Sequence, residues 1–239
     1  MGSATLKLGE INVEVILKNI RNIHLSVLPP DGNVRISAPA RMSLDTLRVF
    51  AVSRLDWIKR QRKKFLEQER ETRREHLDRE SHFLWGKRYL LQVVELDAAA
   101  KIERRPRTIL LRIRPGTSEE KKQELLEEWY REQVRAAAQP LIATWAPRLG
   151  VTVSRLYVQH MKTKWGSCNP RLHSIRINTE LAKKPPECLE YLVVHEMAHL
   201  LEPTHNKRFT ALLDRFMPKW KFHRDQLNHL PIRHEQWEY

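Results

Sequence analysis

Apolar and polar residues alternate through the first forty positions of the chain. Val13, Val15 and Leu17, then Ile23, Leu25 and Val27, then Val34 and Ile36 fall two apart, the period of a strand with one buried face. Pro29-Pro30-Asp31-Gly32-Asn33 separates the second and third runs, so residues 11–40 predict a small antiparallel sheet with a turn at that point. From Ser43 the period changes. Leu44, Leu47, Val49, Phe50, Val52, Leu55 and Ile58 follow a capping hydroxyl at helical spacing. This helix is expected to run into the mixed-sign segment 67–80, a polar connector. Two short strands follow, around 89–96 and 108–113. A long helix over 118–146, capped by Ser118, turns Leu125, Trp129, Val134, Ala137, Leu141 and Trp145 towards a sheet. Residues 151–158 and 174–178 read as strands, and Lys164-Trp165-Gly166-Ser167-Cys168-Asn169-Pro170 between them as a turn-rich loop. No internal repeat is evident. Runs of strands followed by runs of helices make this an α+β chain. A small N-terminal sheet-and-helix region occupies 1–80, and a larger region occupies 81–239.

The next helix begins at Pro185-Pro186, with Glu187 in its first turn. It is apolar on nearly every side: Leu189, Tyr191, Leu192, Val193, Val194, Met197, Leu200 and Leu201. Within it stands His195-Glu196-Met197-Ala198-His199. Two histidines four apart project from one helix face about a turn apart, the separation that lets both hold one zinc ion. Buried polar groups need partners, and a metal supplies one. Glu196, beside the first histidine, is placed to take a proton from water. Pro203 ends the helix at or just before Glu202. The third donor is His205 or Glu202, and His205 is favoured because the chain can turn back after Pro203 and carry it to the metal, where three protein ligands leave the fourth position open as a catalytic site requires. Asn206 can cap a following helix with Phe209, Leu212, Leu213 and Phe216 on its apolar stripe and Pro218 at its end.

Composition adds a second theme. The 239 residues carry a formal net charge of +14, which attracts polyanions and favours salt-sensitive, sequence-independent contact with nucleic acid. Cations gather at Arg54, Lys59, Arg60, Arg62, Lys63 and Lys64, and again at Arg104, Arg105 and Arg107. The two cysteines, Cys168 and Cys188, have no metal-type spacing and read as reduced thiols of a cytoplasmic protein. Neither a secretory signal nor a run of about 20 apolar residues is visible, so no membrane partner is expected.

The stretches Lys164-Trp165-Gly166-Ser167-Cys168, His195-Glu196-Met197-Ala198-His199-Leu200, His205-Asn206-Lys207-Arg208-Phe209 and Met217-Pro218-Lys219-Trp220 resemble the YgjP-like zinc-dependent metallopeptidases, which are related to SprT-like and WLM proteins. The strand pair at 23–39 and the helix carrying Trp57-Ile58 extend the likeness over most of the chain. Glu202 stands where the metzincin pattern, with the same histidine spacing, has glycine. The resemblance implies a zincin-like catalytic domain with one Zn2+ per chain, held by His195, His199 and His205, and with Glu196 as general base. A peptide or protein substrate follows. In such enzymes an edge strand beside the metal pairs with the peptide, and Ile175-Arg176-Ile177-Asn178 is the candidate. Trp165, Gly166, Ser167, Ile177 and Asn178 are accordingly the candidate substrate contacts. Tyr191, His223, His229 and His234 are available as oxyanion donors, with His223 preferred. Cys168 has no visible triad partner and is not read as a nucleophile. Two other functions fit the same residues: a metal-dependent nucleotide or phosphoanhydride hydrolase, and a basic nucleic-acid-binding protein with a structural metal.

Overall fold

The computed structural model describes residues 3–28, 31–67, 79–161 and 164–229. They fall into two compact units that divide between residues 71 and 72. The first holds β1 (Ser3–Leu8), β2 (Ile11–Lys18), β3 (His24–Leu28) and β4 (Asn33–Pro39) in the order β1-β2-β4-β3. β2 and β4 are parallel, while the outer pairings are antiparallel. The expected all-antiparallel sheet is therefore a mixed one. Alternation identified the inward residues, and the register sets Val13 against Val34 and Val15 against Ile36. A period of two says which side chains share a face, but nothing about strand direction. β1 was not expected, because only Leu6 and Leu8 of its residues are large and buried.

Two helices cover this sheet. α1 (Leu44–Ser53) starts at Ser43, whose hydroxyl accepts from the Thr46 amide, and buries Leu47 and Ala51. The single helix expected here breaks at Arg54, and α2 (Leu55–Glu67) follows. The Ser53 hydroxyl donates to the Phe50 carbonyl at 2.7 Å, and the Arg54 amide bonds Ala51 three residues back at 3.1 Å. Together they tighten the last turn and end the regular ladder. Most of the predicted charged connector lies outside the described residues.

The second unit opens with β5 (Ser81–Leu84), β6 (Lys87–Glu95), β7 (Lys101–Arg104) and β8 (Thr108–Ile113), in the order β5-β6-β8-β7. Its pairings are antiparallel, parallel and antiparallel. The arrangement of the first sheet thus recurs, a repeat of topology without a visible repeat of sequence. α3 (Glu119–Leu149) is capped by Ser118 and closed by Gly150 at φ 68°. Its buried positions are Leu126, Tyr130, Val134, Ala138, Trp145 and Leu149. Val134 and Trp145 are buried as the stripe predicted, while Leu125, Trp129, Ala137 and Leu141 flank the core half-buried and Leu126, Tyr130 and Ala138 take the inner positions.

The third sheet contains β9 (Arg155–Gln159), β10 (Gly166–Asn169) and β11 (Ser174–Asn178), in the order β10-β11-β9. β10 was expected as loop. Its Gly-Ser-Cys-Asn sequence has little strand preference, and antiparallel pairing with β11 creates the strand. Behind this sheet lies α4 (Pro186–Ala198), followed by α5 (Lys207–Phe216) and α6 (Trp220–His229). α4 buries Cys188, Leu189, Tyr191, Leu192, Val193, Val194, Met197 and Ala198. Trp145 of α3 donates its indole N–H to Glu190 of α4 at 3.0 Å. α6 was not anticipated, since its sequence is strongly polar; Trp220 and Leu227 bury its inner side. Both cysteines are free thiols. No helix among the described residues is long and apolar enough to cross a membrane.

Candidate metal centre and active site

α4 ends at Ala198, earlier than Pro203 alone requires. The amides of Leu200 and Leu201 bond the carbonyls of Met197 and Ala198, each at 3.0 Å, so the last turn is tight and the chain reverses. Asn206 then starts α5, its side-chain oxygen accepting from the amides of Arg208 at 2.9 Å and Phe209 at 3.0 Å. This reversal carries His205 back over α4.

The Nε2 atom of His205 stands 3.0 Å from that of His195 and 3.2 Å from that of His199. The outer nitrogens explain why the Nε2 atoms turn inward. His199 Nδ1 lies 3.1 Å from the Glu202 carbonyl oxygen. A carbonyl can only accept, so the proton sits on Nδ1 and the Nε2 lone pair faces the centre. His195 Nδ1 lies 3.3 Å from the Tyr191 hydroxyl, which can accept its proton in the same way or donate to the other tautomer. Burial, with help from the neighbouring imidazoles, pushes His195 down to about 3. Burial also lowers His199, so both rings are neutral near pH 7. Three imidazole nitrogens converging on one point are a donor set for a cation. Nitrogens 2.0–2.1 Å from a tetrahedral zinc ion lie roughly 3.3 Å apart, close to the spacing found here. The three histidines fit a zinc ion.

Phe209 backs the cluster. Its ring centroid is 5.0 Å from His195, 4.5 Å from His199 and 4.8 Å from His205. In sequence it is one member of an apolar stripe; the signal that it does more is its place four residues after His205, in the first turn of α5. Glu202, the rival donor, turns its carboxylate away, accepting from the Asn206 side chain at 2.9 Å and approaching Arg208 at 3.4 Å. Its part in the centre is the carbonyl that orients His199.

Glu196 lies beside the triad and is only 4% exposed. Burial pushes its carboxyl up to about 8, against the opposing pull of the Lys164 cation. The edge strand β10 packs against it without a side chain between them. A Cβ at Gly166 would stand 2.6 Å from Glu196 Oε1 and 3.0 Å from the Arg176 carbonyl oxygen. Gly166→Ala is expected to bind metal normally and to lose at least ten-fold in kcat, because a methyl group displaces the carboxylate; wild-type turnover by the alanine variant would show the contact to be slack.

The other predicted contacts divide. Ser167 is on the edge strand, paired with Arg176. Trp165 packs half-buried on the core, with the Lys184 ammonium 6.0 Å from its ring. The proposed edge strand needs correction: β11 is bonded on both sides, by β10 and β9, so Ile175 to Asn178 have no open backbone to offer a peptide. Ile177 is wholly buried in the core. Asn178 is buried as well, donating through Nδ2 to the carbonyls of Met161 at 2.7 Å and Lys164 at 2.8 Å. It positions the start of β10 instead of touching substrate. The outer strands of this sheet are β10 and β9, and β10 is the one that lies against Glu196.

His223 lies on α6 with Nδ1 buried and unpartnered among the described residues. Tyr191 is the oxyanion candidate whose hydroxyl reaches the triad, and there it supports His195. His234 and the side chain of His229 lie outside the described residues. Burial and the Glu196 charge push the Cys168 thiol up to about 11, which keeps it protonated and unsuited to nucleophilic attack.

A family model described as "YgjP-like, metallopeptidase domain" matches residues 21–230. The chain belongs to the YgjP-like metallopeptidase family. It is therefore a metallopeptidase, and a hydrolase by class. Two solved structures are similar over part of it. The metallopeptidase zymogen abylysin of Pyrococcus abyssi shares 17% identity, covering 40% of this chain and 99% of its own, with a TM-score of 0.36. The zymogen jannalysin of Methanocaldococcus jannaschii also shares 17% identity, covering 39% and 92%, with a TM-score of 0.33. No curated protein matches the chain.

Proposed function

We propose that this YgjP-like protein is a zinc-dependent peptidase, with one zinc ion held by His195, His199 and His205 and with Glu196 as general base. The observation that carries the reading is the convergence of three imidazole Nε2 atoms beside the buried carboxylate of Glu196, which shares α4 with His195. When bound, zinc supplies Lewis acidity to a water molecule and to the scissile carbonyl. Glu196 takes the proton from that water at a carboxylate oxygen. It then returns the proton to the departing amine nitrogen, which regenerates the carboxylate. Burial alone favours the protonated carboxyl near pH 7, and a cation held by the adjacent histidines would favour the ionised form that the cycle needs.

Substrate orientation falls to β10. Its outer edge is the open edge of the three-stranded sheet nearest Glu196, and an extended peptide added there is held by backbone hydrogen bonds at any sequence. Tyr191 and the Glu202 carbonyl hold two ligand rings in one orientation, and Phe209 fixes the spacing of all three.

Incubating the purified chain with a peptide library tests this reading. Cleavage is expected to stop on chelation and to return when zinc is added back. Hydrolysis of nucleoside triphosphates under the same metal control, without peptide cleavage, would instead make the protein a phosphoanhydride hydrolase.

A further inference from the structure

The charge of +14 is spread over the whole chain, but on α2 it takes a particular form. Ile58 of this helix is wholly buried, which fixes the inner side. At 100° per residue, Lys59, Arg60 and Lys63 fall within an arc of about 100° on the opposite side, and all three are exposed. Trp57 borders this face and remains 37% exposed. It stands three residues after Arg54 and three before Arg60, both exposed. An exposed indole beside a row of cations is the pairing of stacking surface and phosphate contacts that single-stranded nucleic acid uses. By the same spacing Asp56 and Glu67 take positions on this face too, so the cations outnumber the acids there by three to two.

We propose that the outer face of α2, with Lys59, Arg60 and Lys63 and with Trp57 at its border, binds single-stranded nucleic acid. The phosphates lie along the cations and a base stacks on Trp57. An anionic membrane is the poorer fit. Membrane-surface helices insert an apolar face, and the inward side of α2, around Ile58, is committed to the core of its own unit. The site is independent of the metal centre and survives whatever the peptidase reading meets.

The test uses the full-length chain and a fluorescein-labelled single-stranded oligonucleotide, with anisotropy read over a range of salt concentrations. Wild type is expected to bind with a steep salt dependence. The triple variant Lys59→Ala, Arg60→Ala, Lys63→Ala should lower the magnitude of the log–log salt slope by about 2, since each lost phosphate contact on a single strand is worth about 0.7. Trp57→Ala should weaken binding by about ten-fold with the slope kept, and Trp57→Phe should recover most of that loss. Circular dichroism and melting temperature, unchanged from wild type, show that each variant is folded. A triple variant with the wild-type slope would overturn the proposal by making the attraction a property of the whole charged surface. Equal affinity in Trp57→Ala would remove the stacking contact and overturn it too. Vesicles of anionic lipid that bind through α2 while the oligonucleotide does not would replace it with a membrane surface.

Discussion

Glu196→Gln is expected to hold zinc as the wild type does and to lose peptide hydrolysis by about 10³-fold, the worth of a positioned general base. The amide has the size and shape of the carboxylate, so it fits the same space against Gly166 and leaves the three histidines undisturbed. What it lacks is the ability to take a proton. Glu196 is buried, so bulk water cannot easily replace it as the acceptor. Because the substrate edge and the metal ligands are intact, the loss should fall on kcat, with KM nearly unchanged. A Glu196→Gln enzyme within ten-fold of wild-type kcat would mean that another group receives the proton.

The second large effect concerns His199. Its Nε2 is one of three converging donors, its Nδ1 is tied to the Glu202 carbonyl, and its ring stacks on Phe209 with centroids 4.5 Å apart. His199→Ala is expected to weaken zinc binding by more than about 100-fold, since loss of an outer-sphere partner alone costs ten- to a hundred-fold. Thermal melting reports this without any substrate. Zinc at about a hundred times its Kd stabilises a folded chain by about 2.7 kcal/mol, which for a chain of this size raises Tm by roughly 5–10 °C. The wild type should show that rise and His199→Ala should not. An equal rise in both would place the stabilising zinc elsewhere.

The legible parts of this molecule are those where one residue's chemistry admits few solutions. Two histidines and a glutamate on an apolar helix need a polar partner, and Asn206 before an apolar stripe marks a helix start; both readings rest on local rules. What escaped was set by distant pairing. β10 has a loop-like sequence and is a strand because β11 lies beside it. That one strand moved the open edge from Ile175–Asn178 to Gly166–Asn169 and turned Asn178 from a substrate contact into a brace. The parallel pairing of β2 with β4 was equally invisible, because alternation carries no direction. Phe209 and Tyr191 support the triad from positions that any apolar helix could fill, and only the folded contacts distinguish them. Gly166 reads in sequence as a candidate substrate contact, and the group it admits, the Glu196 carboxylate, comes from a helix thirty residues on.

The most direct test of the account is the zinc content of the purified chain, measured by elemental analysis beside that of His199→Ala. The account predicts about one zinc per wild-type chain and almost none in the variant. A wild-type chain that carries no zinc and takes up none on reconstitution would contradict it.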